Sequence, residues 1–214
     1  MDDSRHISED EISKIQYVME HCQSKIYIRA VLLEDCKLSD KIRSFLAEFS
    51  EATDSAFIEI FDKGENPQLE SEITAELEPV IALFDSDGKY TGVSFHGVPS
   101  GHELESFMYA IYNAAGPGQE ISDELFERIK KLKPMNLKIG ISPTCVLCPQ
   151  LVLACQRTAI INSGITAEMV DLVQFPALRK KYKIMSIPAL IINNNDVVFG
   201  EKNIDELMDI LEKH

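Results

Sequence analysis

The only closely spaced thiols in the chain are Cys145 and Cys148, in the run Pro143-Thr144-Cys145-Val146-Leu147-Cys148-Pro149. Two cysteines separated by two residues can close a small disulfide ring or share a metal ion, and their surroundings weigh on which. Residues 136–142 read as a strand, and a helix is predicted from Cys145 to about Ser163. Free amides and the macrodipole at a helix start favour an anion, so Cys145 is expected to be the exposed attacking thiol. Cys148, one turn further in, would then resolve it. Pro149 fits, because a residue in the first turn has no intrahelical N–H bond to lose. Structural zinc needs four ligands, and the sequence holds neither a second CxxC nor a His pair at zinc spacing. Zinc shared between molecules, or two inert helix thiols, stay open beside redox chemistry.

Thiols do chemistry only where a fold holds them, and the pattern of this fold is written twice. Shifting the sequence by 109 residues lays Cys36 on Cys145, Leu38 on Leu147, Asp62 on Asp171, Pro79 on Pro188 and Asp87 on Asp196. Each of the two prolines opens an apolar run, 79–84 and 188–192. In the first copy Ser8 and Glu11 form a capping-box pattern ahead of Ile12, Ile15, Val18 and Met19, predicting a helix over 8–23. Strands are expected at 25–33 and 56–61, with a helix over 38–49 between them and a short one near 68–76. Asp87-Gly88 is a hairpin signal, so 79–84 and 89–95 should pair antiparallel before a helix over 101–115. Residues 116–121 break every periodicity and read as a linker between a unit at 1–115 and another at 122–214. The second unit repeats the order: a helix at 122–133, the strand and helix around the CxxC, and a strand near 166–173. A short helix opened by Pro176 and strands at 188–193 and 197–200 come next. A last helix near 204–212 is capped by Asn203 and Glu206. The fold class is therefore α/β, each unit a mixed sheet flanked by helices.

Charge and composition exclude several functions. Thirty-five acids against twenty-one bases give a net charge of −14, which repels a phosphate backbone, and the basic runs at 130–133 and 179–183 read as solvated helix faces. Nucleic acid is not an expected partner. No run of 18 apolar residues exists, so no membrane association is expected. The start, MDDSRHISEDEISK, is acidic where a signal peptide is basic and then apolar, so the cytoplasm is the expected location. Five cysteines, an odd number with one close pair, do not make a secreted disulfide framework.

At PTCVLCP, at KIMSIPALII (183–192) and at GVPSGHELESF (97–107) the chain resembles the thioredoxin superfamily, specifically its paired-domain, glutaredoxin-like protein disulfide oxidoreductases. From about Lys25 onward it is also similar to the N-terminal redox domain of the alkyl hydroperoxide reductase flavoprotein subunit. The resemblance implies two tandem thioredoxin-like units and a cis Pro188, preceded by Ile187, lying against the CxxC sulfurs, with Pro79 as its counterpart. It also singles out Glu103, whose carboxylate would accept the proton of the resolving thiol; the residues alone allow a helix-start Glu favoured by the dipole. The first unit departs from the disulfide oxidoreductase pattern, because its CxxC is reduced to Cys36-Lys37-Leu38-Ser39. Without a resolving thiol, Cys36 cannot cycle within the chain, leaving a vestigial structural role or a mixed-disulfide site. His102 reads as a polar boundary residue. Cys155, seven residues past Cys148 on the same helix face, is expected to pack against the sheet, and nothing distinguishes Cys22.

No dinucleotide fingerprint is present, since 116–121 lacks the third Gly and follows no strand, so neither flavin nor nicotinamide is expected as a cofactor. Electrons must then come from outside. The resemblance implies a separate flavoprotein reductase of the thioredoxin reductase type as donor and a peroxiredoxin or other disulfide protein as acceptor. The reading from another class is a non-catalytic interaction or metal-binding module on the same paired folds, and thiol titration with and without a dithiol reductant separates the two.

Overall fold

The computed structural model describes residues 6–73 and 76–214. The first residues of the acidic start, 1–5, and positions 74–75 of the short helix expected near 68–76 lie outside the described residues. The first half runs α1 (Glu9–Glu20), β1 (Ile26–Leu32), α2 (Lys37–Ala52), β2 (Ala56–Asp62), α3 (Pro67–Ile73), β3 (Val80–Phe84), β4 (Tyr90–His96) and α4 (Glu103–Ala115). The second runs α5 (Asp123–Lys131), β5 (Met135–Ile141), α6 (Cys148–Ile161), β6 (Ile165–Asp171), α7 (Pro176–Lys181), β7 (Ala189–Ile192), β8 (Asp196–Phe199) and α8 (Ile204–Leu211). The 109-residue offset holds at the level of the backbone. It carries β1 onto β5 and β2 onto β6 residue for residue, and the parallel pairing Ile26↔Ala56 onto Met135↔Ile165.

The local signals act as their chemistry requires. Ser8 caps α1 and Asn203 caps α8, each in a full capping box with Glu11 and Glu206. The Asp85–Lys89 turn closes the β3–β4 hairpin through Asp85 N–H to Lys89 O, with Gly88 at φ +75. Both Glu78–Pro79 and Ile187–Pro188 are cis.

Two findings differ from the sequence reading. The two halves do not keep separate sheets: β4 pairs parallel with β6, giving one eight-stranded sheet in the order β2-β1-β3-β4-β6-β5-β7-β8. Gly92 (φ +83) makes that join possible, since a Cβ there would lie 2.5 Å from the Ile165 carbonyl oxygen. The helix after β5 begins at Cys148 rather than Cys145, with Leu147 as its N-cap. Pro149 has no N–H to donate to the Cys145 carbonyl, so helical bonding cannot reach back to the first cysteine. A turn bond from Cys145 N–H to Ser142 O, 2.9 Å, holds that residue instead.

One face of the sheet carries a continuous core that spans both halves, built from α1, α2, α4, α6 and α8. Phe45, Phe49, Phe95 and Phe107 meet in it, Phe107 edge-on to the other three. The opposite face carries two separate apolar clusters, one under α3 and one under α7. Between them, on the central strands, lie buried polar side chains: Ser94 and His96 of β4, Glu168 of β6 and Lys138 of β5.

Candidate functional site

The strand order brings three segments to one end of the sheet. The loop 142–147 leaves the end of β5 and leads into α6; β7 starts beside it, and Gly140↔Ala189 pairing sets Pro188 alongside Ile141. The third segment, 97–102, leaves the end of β4 toward α4. Cys145, Val98 and Ile187 pack on the same core as Cys148 and Leu104.

Cys145 and Cys148 are joined by a disulfide with Cα atoms 5.5 Å apart. Their exposures differ: Cys145 is half-buried, whereas Cys148, the first residue of α6, is fully buried. Val146 (69% exposed) and Leu147 (49%) between them, and Met185 (84%) just ahead of Pro188, leave apolar surface at this end. Single exposed apolar residues mean little, but three at one sheet end beside a disulfide form a rim on which a protein partner can lose water.

Glu103 opens α4, and only 1% of it is exposed. Burial pushes its carboxyl up to about 7, opposed by a hydrogen bond from Ser106 and reinforced by the charge of Glu105. The Ser106 hydroxyl donates to Oε2 at 2.6 Å, while Oε1 is buried with no partner among the described residues. Helices α4 and α6 pack side by side. Near their starts Gly101 sits against the Pro143 carbonyl, which a Cβ would approach to 3.3 Å. Ten residues beyond Glu103, Asn113 Oδ1 accepts from Arg157 Nη1 at 3.2 Å. Contacts in the same order along both helices make them parallel, and that register sets the first turn of α4, with Glu103, beside the first turn of α6, with Cys148.

The remaining thiols sort by environment. Cys155 is fully buried on α6, and burial pushes its thiol far up. Cys36 is half-buried at the N-cap of α2, and the Ser39 amide holds its thiol below the ordinary value against the effect of burial. Where the second unit has Cys148, the first has Ser39, whose hydroxyl accepts from Leu33 N–H at 2.9 Å. His102, at the N-cap of α4, makes no capping bond. No three His, Cys, Asp or Glu side chains converge on a metal-sized site among the described residues.

Two residues at this end escaped sequence reasoning: Ser106, which a helical turn places against Glu103, and Asp171. The latter ends β6 opposite Ile141, and burial pushes its carboxyl up. Gly97 (φ +141) packs on it, since a Cβ there would meet the Asp171 Cβ at 2.9 Å.

Residues 135–212 match the family described as thioredoxin domain. The chain is 33% identical over 125 residues to the alkyl hydroperoxide reductase protein AhpF of Staphylococcus aureus, covering 58% of this chain and 24% of that protein. It thus spans about a quarter of the length of that relative. The NTD_N/C domain of alkyl hydroperoxide reductase AhpF from Enterococcus faecalis superposes with a TM-score of 0.92 at 35% identity, covering 96% of this chain and 99% of that one. A protein disulfide oxidoreductase from Aeropyrum pernix shares the fold, with a TM-score of 0.85 at 22% identity over 96% of this chain and 92% of that one.

Proposed function

The chain belongs to the family of thioredoxin-fold N-terminal domains of the alkyl hydroperoxide reductase protein AhpF, and on that premise we propose that it is a dithiol–disulfide electron carrier working through Cys145 and Cys148. Its electrons come from a flavoprotein reductase and go to a disulfide-containing acceptor such as a peroxiredoxin, in the reducing cytoplasm. The observation that carries this reading is the unequal burial of a bonded cysteine pair: one sulfur within reach of a partner, the other sealed behind it at the start of a helix.

The Cys145 thiolate attacks a sulfur of the acceptor disulfide, forming a mixed disulfide and expelling one acceptor thiolate. Cys148 then gives up its proton, with Glu103 as the nearby base, and attacks Cys145. That step forms the intramolecular disulfide and expels the second thiolate; two electrons have passed to the acceptor, whose thiolates take up two protons. Pro188 shapes the surface on which the acceptor backbone docks, and Val146, Leu147 and Met185 supply its apolar contacts. Residues 122–214 carry the exchange centre, and residues 1–115, with no resolving thiol beside Cys36, act as its scaffold.

Trapping tests the assignment. In Cys148→Ser, Cys145 is expected to stay covalently joined to its acceptor in a complex that a reductant dissolves. If instead Cys145→Ser traps the acceptor on Cys148, the order of attack is reversed.

A further inference from the structure

Glu103 has two oxygens in different situations, and the difference has a cause one turn along its own helix. Ser106 is completely buried, and its hydroxyl reaches Oε2 at 2.6 Å; Oε1 is equally enclosed and meets no donor or acceptor among the described residues. With Oε2 engaged by the Ser106 hydroxyl, Oε1 is the oxygen whose acceptor sites are both open to a proton. Three residues apart on a helix, Glu103 and Ser106 share a face; Asn113, two turns past Ser106 on that face, accepts from Arg157 of α6, which turns the face toward α6 and the neighbouring first turn that holds Cys148.

We propose that Ser106 is a positioning residue: its hydroxyl locks Glu103 through Oε2, so that Oε1 is the oxygen that takes the proton from Cys148 when the mixed disulfide is resolved. This rests on the reading of Glu103 as the base of the exchange. The step is balanced: the Cys148 Sγ–H bond breaks, its proton passes to Oε1, and the Cys148 thiolate displaces the outgoing sulfur from Cys145. Glu103 afterwards releases the proton to solvent or to the departing thiolate.

The lock also sets the acidity of the base. A hydrogen bond donated to a carboxylate stabilises its charged form, so Ser106 opposes the upward push of burial. Glu105 adds its charge on the same helix start, where His102 precedes Glu103, and from the α6 side the neighbouring first turn holds Cys148. Across the groove between α1 and α4 stand Glu11, Lys14 and His21.

Reaction of the reduced chain, residues 1–214, with 5,5′-dithiobis(2-nitrobenzoate) separates the two steps. The first thionitrobenzoate released reports attack by Cys145 and the second reports resolution by Cys148. Followed across about pH 5–9, the second phase in the wild type is expected to rise as Glu103 ionises. In Ser106→Ala the rise should move upward by about one pH unit, slowing the second phase roughly fivefold at pH 7 and leaving the first phase unchanged. Ser106→Thr, which keeps the hydroxyl, should retain the wild-type profile. Ser106→Ala in a Glu103→Gln background should add nothing. A folded Ser106→Ala protein with the wild-type second-phase profile, while Glu103→Gln abolishes the rise, overturns the role of Ser106 and leaves that of Glu103 standing. A rise that persists in Glu103→Gln overturns the reading of Glu103 itself.

Discussion

Two opposing effects act on Glu103. A carboxylate in the first turn of a helix gains roughly 0.3–1 kcal/mol from the dipole. Burial carries its carboxyl from 4.5 to about 7, which corresponds to about 3 kcal/mol against the charged form, so burial wins. Because the folded pKa lies above the unfolded one, the penalty is absent below about pH 4.5 and complete above about pH 7. Glu103→Gln is therefore expected to be more stable than the wild type by up to about 3 kcal/mol at pH 8, with little difference at pH 4. Urea denaturation at the two pH values checks this, and an equal difference at both would refute it. The same variant should slow exchange, which is how a residue kept for chemistry at the expense of stability behaves. The sequence pointed to Glu103 only through family likeness, since first-turn glutamates are common; its burial depends on α6 lying across it.

At the scale of elements, the join between β4, β5 and β6 holds a buried charge network. Glu168 accepts from His96 Nε2 at 3.2 Å and lies 3.3 Å from Lys138 Nζ, and Asn136 bonds the same carboxylate. Burial alone would raise the Glu168 carboxyl, but His96, Lys138 and Asn136 together hold it below its ordinary value. Removing one partner leaves a buried charge unmatched. Lys138→Met should cost about 3–5 kcal/mol, and the double variant Lys138→Met/Glu168→Leu should cost less than either single change, as a double-mutant cycle of unfolding free energies would register. Additive losses would contradict a coupled network. These residues were not legible in the sequence: Lys138 and Glu168, partners on β5 and β6, read as solvent-facing until β4 is laid against β6 and brings His96 to them. The capping boxes at Ser8 and Asn203 were legible because each is local to four residues. The start of α6 was not, because the Cys-led pattern of apolar residues outweighed the one missing N–H of Pro149.

At the scale of the molecule, the repeat was legible because both copies kept their proline positions and the lengths of their first two strands, but the fusion of the two sheets was not, since edge pairing leaves no periodic trace. That fusion gives the half without a CxxC a task. Residues 118–214 alone would expose the β6 edge, the apolar surface that α4 covers on α6, and one side of the Glu168 network. This fragment is expected to aggregate or lose exchange activity, and a soluble fragment with full turnover would show the first half to be dispensable. The molecule's charge of −14 repels added negative charge, although salt screens that beyond roughly 8 Å, and the pair Val146-Leu147 places no charge or donor beside the Cys145 sulfur. A strong oxidant stabilises its thiolate through extra charge or donors beside the sulfur, and Val146-Leu147 supply neither, so the couple should lie nearer roughly −270 mV than roughly −120 mV. Equilibrating the intact protein against a glutathione redox series, with alkylation and mass mapping of each thiol, tests the electron-carrier account most directly. It predicts one two-electron transition in which Cys145 and Cys148 become protected together, at a midpoint more negative than about −180 mV; a more positive midpoint, or protection of any other pair, would contradict it.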